Sequence, residues 1–253
     1  MKLVTWNVNS LKARGEHVAA YLDRVSPTVL CLQELKQPTD DVDRSIFHQR
    51  GYHVAVHGQR TYNGVAIASK YPLTDVVQGV ETIEQGQARY IAATVAGLRI
   101  VNLYCPQGRA VDHEFFQYKL SFYEALIAHL QADYSPRTLV TGDLNVAPEK
   151  DDVWDEVHWA GRCSFTPEEH ALWARLLEVG FVDAVKPYLD EKTFSFWDYR
   201  ARSFQRGLGL RIDHWLVSPE LNRRVQGAGV DQDERGRERA SDHAPVELDL
   251  AWS

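Results

Sequence analysis

Residues 139–145 read Leu-Val-Thr-Gly-Asp-Leu-Asn, LVTGDLN: an apolar, β-prone run ends in a glycine and then presents an aspartate and an asparagine two positions apart. Taken alone this is a strand running into a turn, because Gly, Asp and Asn are ordinary turn formers. Its neighbours change the reading. Three further strand-like runs finish in a polar or phenolic group: LVTW in Asn7, TVLCLQ in Glu34 and LRIVNL in Tyr104. Two others begin with one, since Asp213 and His214 precede WLVS, and Asp242 and His243 precede APVELDL. If the first set runs toward one rim of a β-sandwich and the second runs away from it, all these groups meet at that rim.

Each element has an ordinary explanation by itself. Glu34 reads as an exposed strand-end carboxylate, Asn7 as a residue near a helix start, Tyr104 as a core-edge phenol and Ser-Asp-His as a turn. Their coincidence at several independent strand ends is harder to assign to turn chemistry. Carboxylates, side-chain amides, a tyrosine and one histidine, without paired cysteines or an HExxH helix, suit a hard cation such as Mg²⁺ or Mn²⁺ and not structural zinc.

Short strand-like runs recur along the chain: LVTW, TVLCL, YHVAV, GVAIAS, YIAATV, LRIVNLY, TLVTG, DHWLVS and PVELDL. Helical spacing interrupts them. Leu11, Val18, Leu22 and Val25 form one apolar stripe, and Phe116, Leu120, Ile127 and Leu130 form another within 112–132. Thr166-Pro167-Glu168-Glu169 is a capping box with proline at the first helical position, and Gly180 stops the helix that follows. No GxGxxG follows a strand, so a Rossmann sheet is disfavoured. The expected fold is of the α/β (α+β) class: two packed mixed β-sheets flanked by helices in a four-layer sandwich, one domain over residues 1–253.

A chain of 253 residues can bury a substantial core. Its 44% hydrophobic and 25% charged residues exclude collagenous and disordered classes, and no apolar run approaches a bilayer span. The N-terminus enters a β pattern directly, so no membrane and a cytoplasmic location are expected. Cys31, Cys105 and Cys163 have no metal-type spacing and imply no disulfide framework. A net charge of −7 argues against coating nucleic acid through bulk charge but leaves room for a local basic strip. Residues 197–211, WDYRARSFQRGLGLR, are such a strip: Arg200, Arg202, Arg206 and Arg211 alternate with Trp197, Tyr199 and Phe204 against one acid, Asp198. In a generic protein this is a solvated loop; beside Asp213 it reads as a phosphate-gripping loop.

The chain resembles the exonuclease III family of abasic-site endonucleases, within the endonuclease/exonuclease/phosphatase superfamily. The resemblance runs through TWNVNSLKAR, LQELK, YNGVAIASK, NLYCPQGR, GDLNVAP, CSFTPEEH, FSFWDYR, LRIDHWLVS and SDHAPV. It implies divalent-metal-dependent hydrolysis of DNA phosphodiesters, with Mg²⁺ or Mn²⁺ as cofactor and one or two ions left open. By resemblance Glu34 binds the metal with Asn7, Asn9 and Asp242 nearby, Asp143 orients and deprotonates the attacking water, and Asn145 holds that water or a phosphate oxygen. Tyr104 and Gln107 contact the phosphate, and Asp213 orients His243. Phe196, Leu210 and Ile212 wall a pocket for a flipped-out, base-free sugar. Lys12, Arg14, Lys36, Arg89 and Arg109 join the arginine-rich loop as candidate DNA contacts. Ser10 and Leu35 depart from the glycine and threonine usual beside the Asn-x-Asn pair and the glutamate, and Leu210 stands where some relatives carry tryptophan. The expected partner is double-stranded DNA with an abasic site or a blocked 3′ end, cut 5′ to the lesion by a monomer. A nonspecific deoxyribonuclease, or a phosphatase or phosphodiesterase acting outside nucleic acid, is the alternative.

Overall fold

A computed structural model describes residues 1–84 and 86–252. Its strands are β1 (Lys2–Asn7), β2 (Val29–Gln33), β3 (His53–His57), β4 (Val65–Ser69), β5 (Leu73–Gln78), β6 (Tyr90–Val95), β7 (Leu98–Tyr104), β8 (Thr138–Asp143), β9 (Val182–Asp183), β10 (Asp213–Val217), β11 (Val225–Val230) and β12 (Val246–Leu250). They form two six-stranded mixed sheets, ordered β11-β12-β1-β2-β4-β3 and β5-β6-β7-β8-β10-β9. The inner faces meet in an apolar interior that includes Leu3, Cys31, Ile67, Ile91, Ile100, Leu139, Trp215 and Leu248. Burying each large side chain of this kind contributes about 1.5–3 kcal/mol. Gln33 and Asn102 are polar members of this interior: Gln33 Nε2 donates to Thr5 Oγ1 and Asn102 Oδ1, and Asn102 Nδ2 donates across to the carbonyls of Leu32 and Ala66.

Helices cover both outer faces. Leu11–Val25 packs Val18, Tyr21 and Leu22 on Val4, Trp6, Leu30 and Leu32. Glu114–Ala132 and Pro167–Glu178 cover the second sheet through Phe122, Leu126, Leu172 and Leu176. The capping box forms as expected: Thr166 Oγ1 accepts from Glu169 N, and the Glu169 carboxylate accepts from Thr166 N. The four-layer architecture is therefore the one expected.

Topology settles the convergence of strand ends. β1 and β2 pair in parallel, as do β7 and β8, so Asn7, Glu34, Tyr104 and Asp143 emerge at matching ends. β12 is antiparallel to β1 and β10 to β8, so Asp242, His243 and Asp213 enter from the same rim. In the register Tyr104 and Asp213 both stand opposite Asp143.

Candidate active site

The glycine of LVTGDLN answers the question its segment raised. Gly142 adopts φ +129°, and a Cβ there would lie 2.0 Å from the Leu103 carbonyl oxygen on the adjacent strand. Only glycine lets β8 pass that close to β7 before Asp143 turns into the rim. Past the strand, Asn145 takes a left-handed φ of 53°, its N–H donates to Asp143 Oδ1 at 3.0 Å, and its Nδ2 donates to the Cys105 carbonyl. The turn and the chemistry are thus one arrangement, in which Asn145 fixes the aspartate.

Asp143 is buried, and Asn7 joins it to Glu34: Asn7 Nδ2 donates to Glu34 Oε1 at 2.7 Å and to Asp143 Oδ2 at 2.9 Å. Asn7 therefore turns its amide nitrogen toward the carboxylates and braces them, while its oxygen accepts from Asn9 N. Asn9 lies one step out, donating to Asp242 Oδ1 at 3.0 Å and accepting from Lys36. Lys36 also pairs with Glu34 at 2.8 Å. Ser10, at a φ of 90° that favours glycine, donates its N–H to the Glu34 carbonyl and tethers the two loops.

His243 lies on the other side of Asp143. Its Nδ1 is 2.8 Å from Asp213 Oδ2 and its Nε2 is 3.7 Å from Asp143 Oδ2. Ser195, absent from the sequence reading, holds Asp213: its Oγ donates to Asp213 Oδ2 at 2.6 Å and accepts from the N–H groups of Ile212 and Asp213. Phe196 lies against the imidazole with ring centroids 4.8 Å apart. Arg89 is buried under Tyr104, its guanidinium 4.9 Å from the ring centre and donating to the Tyr104 carbonyl.

Burial raises Asp143 to about 8, against the pull of His243 and with Asp213 and Glu34 adding to the rise. Burial alone would lower His243, but Asp213 and Asp143 outweigh it and lift the imidazole to about 10. Glu34 moves the other way: burial pushes it up, and Lys36 and Asn7 override that, holding it below the usual carboxylate range. Burial, then Glu34 and Asp143, drive the Tyr104 phenol well above its ordinary value, so it remains a donor at neutral pH.

Glu34, Asp143 and His243 each bring a ligand atom within 4.8 Å of the others. Four carboxylates, Glu34, Asp143, Asp213 and Asp242, outnumber Lys36 and His243 at this rim, which fits a divalent cation held chiefly by Glu34 and Asp143. These groups open into a cavity of about 440 Å³ that is also lined by the apolar Phe196, Leu210 and Ile212 and by Gln107, Arg109, Asp198, Arg200 and Asp242.

Two residues of the arginine-rich loop are corrected. Arg211 is 1% exposed and points inward, bound to Asp152 at 2.7 Å and Asp183 at 2.6 Å, so it cannot grip an external phosphate. Trp197 is buried with Phe194 and Ala244 and presents no ring to DNA. Arg202 and Arg206 are exposed but do not line the cavity, whereas Arg200 does, paired with Asp198. Tyr199 is 47% exposed beside Asn9. Sequence reasoning also passed over Lys119, fully buried, which salt-bridges Glu169 and donates to the carbonyls of Asn145 and Gln107. A lysine on the apolar stripe between Phe116 and Tyr123 was the available signal.

This constellation, a polar rim of clustered carboxylates and a carboxylate-held histidine on a two-sheet sandwich, fits a phosphoester hydrolase. The endonuclease/exonuclease/phosphatase family model matches residues 4–243, and the chain belongs to that family. It is 36% identical over 263 residues to the exodeoxyribonuclease III of Haemophilus influenzae, covering 97% of this chain and 98% of that one. It is 34% identical to the exodeoxyribonuclease of Bacillus subtilis, covering 98% of each. Among solved structures, the 3′ phosphatase NExo from Neisseria with a product DNA hairpin superposes with TM-score 0.97 at 38% identity, over 100% of both chains. An AP endonuclease from Archaeoglobus fulgidus superposes with TM-score 0.95 at 36% identity, also over 100% of both. The protein is a hydrolase of the nuclease type.

Proposed function

We propose that this protein is a DNA-repair nuclease that hydrolyses the phosphodiester 5′ to an abasic site and processes blocked 3′ ends, using Mg²⁺ or Mn²⁺. The observation that carries the reading is that Glu34, Asp143 and His243, braced from behind by Asn7 and Asp213, share one cavity with the apolar side chains of Phe196, Leu210 and Ile212. A divalent ion bound at Glu34 and Asp143 would neutralise phosphate charge and acidify the attacking water.

The side chains have separate tasks. Asp143 aligns the water and takes its proton, its basicity raised by burial beside two other acids. Asn145 holds Asp143 through its N–H and stands where it can orient water or a phosphate oxygen. Asp213 ties one imidazole nitrogen, so His243 keeps the other toward the phosphate, where charge builds during attack. Tyr104 and Gln107 donate to the same phosphate from the facing wall. Phe196, Leu210 and Ile212 accept a base-free sugar, whose extrusion breaks no base pair. Arg109 and Arg200 contact the flanking backbone.

An abasic duplex, an intact duplex and a phosphoinositide, each assayed with Mg²⁺ and with EDTA, test the proposal. Incision of the abasic duplex 5′ to the lesion, abolished by EDTA and reduced about 10²- to 10⁴-fold by Asp143→Asn, is expected. Equal cleavage of the intact duplex replaces it with a nonspecific nuclease, and turnover of the phosphoinositide alone replaces it with a lipid phosphatase.

A further inference from the structure

A hydrogen-bonded chain, Asp242 to Asn9 to Tyr199, leads from the catalytic cavity to a second hollow of about 510 Å³. Four arginines line it: Arg14, Arg235, Arg237 and Arg239. In a chain of net charge −7 such a concentration of cations needs a cause. Two of the four are already engaged. Arg14 donates to the Asn9, Arg239 and Ala240 carbonyls and to Tyr199 Oη, and so serves as a strut. Arg237 pairs with Glu234 at 3.0 Å.

Arg235 and Arg239 differ from these. Arg235 is only 9% exposed, yet among the described residues no carboxylate lies within salt-bridge distance of it. Its Nη2 donates to the Trp197 carbonyl and its Nε has no partner. The guanidinium sits 5.3 Å from the Tyr199 ring centre and 5.1 Å from that of Phe204, which fix its plane. The neighbouring acid, Glu234, turns away to Arg24 and Arg237. Burial lowers the Arg235 pKa from its ordinary value, with Tyr199 and then Asp242 pulling the other way. Arg239 is exposed and makes no ion pair among the described residues. A buried, oriented guanidinium with an unpaired Nε–H and no counter-charge is costly, and a phosphate seated in the hollow that Arg235 lines would supply the missing charge.

We propose that Arg235 and Arg239 form a subsite for one backbone phosphate of the DNA duplex flanking the scissile bond. The inference rests on the DNA-hydrolase reading above. A tetrahedral phosphate accepts from the planar guanidinium fork, and rings that hold the fork in place reduce the ordering needed on binding. The hollow adjoins the catalytic rim through Tyr199, so a strand seated in the cavity passes it. The contact positions the duplex and reads no base.

The test uses the full chain with Asp143→Asn, which leaves substrate uncut, and a labelled duplex with a central abasic-site analogue. Arg239→Gln and Arg235→Gln are added singly and together, with melting temperatures recorded. Because Arg239 is exposed, its variant stays informative if Arg235→Gln unfolds. Each substitution is expected to raise Kd several-fold and to reduce the slope of log Kd against log salt concentration by about one. The effect should vanish on a duplex truncated on one flank of the lesion and persist when the other flank is removed. An Arg239→Gln variant with unchanged affinity and salt slope overturns the subsite, and so does a loss that is equal on both truncated duplexes. Failure of the underlying reading appears elsewhere, as abasic duplex left intact by the unsubstituted enzyme with Mg²⁺.

Discussion

His243 stands between two carboxylates, with Nδ1 2.8 Å from Asp213 Oδ2 and Nε2 3.7 Å from Asp143 Oδ2. The shorter bond fixes the ring, and Ser195 fixes the acid that fixes it. Replacing Asp213 with Asn keeps the size of the side chain and removes its charge. The imidazole then loses the strongest support for its orientation and for its protonated form. Asp213→Asn is expected to lower the single-turnover rate about 10- to 100-fold with little change in DNA affinity, and to move the alkaline limit of activity toward lower pH. A pH–rate profile of the variant checks both effects. An unchanged alkaline limit contradicts the assignment.

Gly142 is required by backbone proximity. A methyl group there meets the Leu103 carbonyl at 2.0 Å in a conformation that L-residues rarely adopt, and the atom it strikes is backbone that cannot swing aside. Gly142→Ala is expected to lose roughly 3 kcal/mol of stability. Its urea midpoint measures this, and a shift below a third of that size means β7 and β8 can separate without penalty.

Much of the rim was legible in the sequence, because strands buried on one or both faces write their ends as a change from apolar to polar residues. Asn7, Glu34, Tyr104 and Asp143 were found that way, and parallel pairing supplied what the sequence lacked, their common direction. Three strands escaped notice for physical reasons. β5 is mostly exposed, β9 is two residues long and β11 carries two glycines within VQGAGV, so none shows an apolar alternation. Arg211 misled for a related reason: the carboxylates that bury it lie 59 and 28 positions away, and nothing local distinguishes an inward arginine from an outward one. Ser195 left no signal either, since its partner is 18 residues downstream.

The two readings of Arg211 predict different measurements. A phosphate contact would change the salt dependence of DNA binding and leave stability alone. A buried cation between Asp152 and Asp183 does the reverse, and its backbone holds Leu210 and Ile212 in the pocket wall. Arg211→Met leaves two carboxylates without their principal partner and is expected to cost about 3–5 kcal/mol. The salt slope of the folded variant should match that of the parent. Urea denaturation and binding titrations at several salt concentrations decide the matter, and a changed slope with intact stability would restore the phosphate contact.

Without metal, the rim should make the fold less stable as pH rises. Asp143 titrates near 8 in place of its ordinary 3.8, and His243 near 10 in place of 6.5. Both folded-state values lie above the unfolded ones, so the folded protein binds more protons between them. Each contribution is complete below the ordinary value and disappears as pH passes the folded value. In EDTA the urea midpoint is therefore expected to fall from pH 6.5 to about 10, with Asp143 contributing up to about 8 and His243 over the whole interval. His243→Asn should remove most of the decline above 8. Saturating Mg²⁺ should flatten the decline below 8, because the ion displaces the proton from Asp143 and takes over its compensation. A midpoint that rises with pH in EDTA, or one that Mg²⁺ leaves unaltered, would mean that these acids neither share protons nor hold the ion.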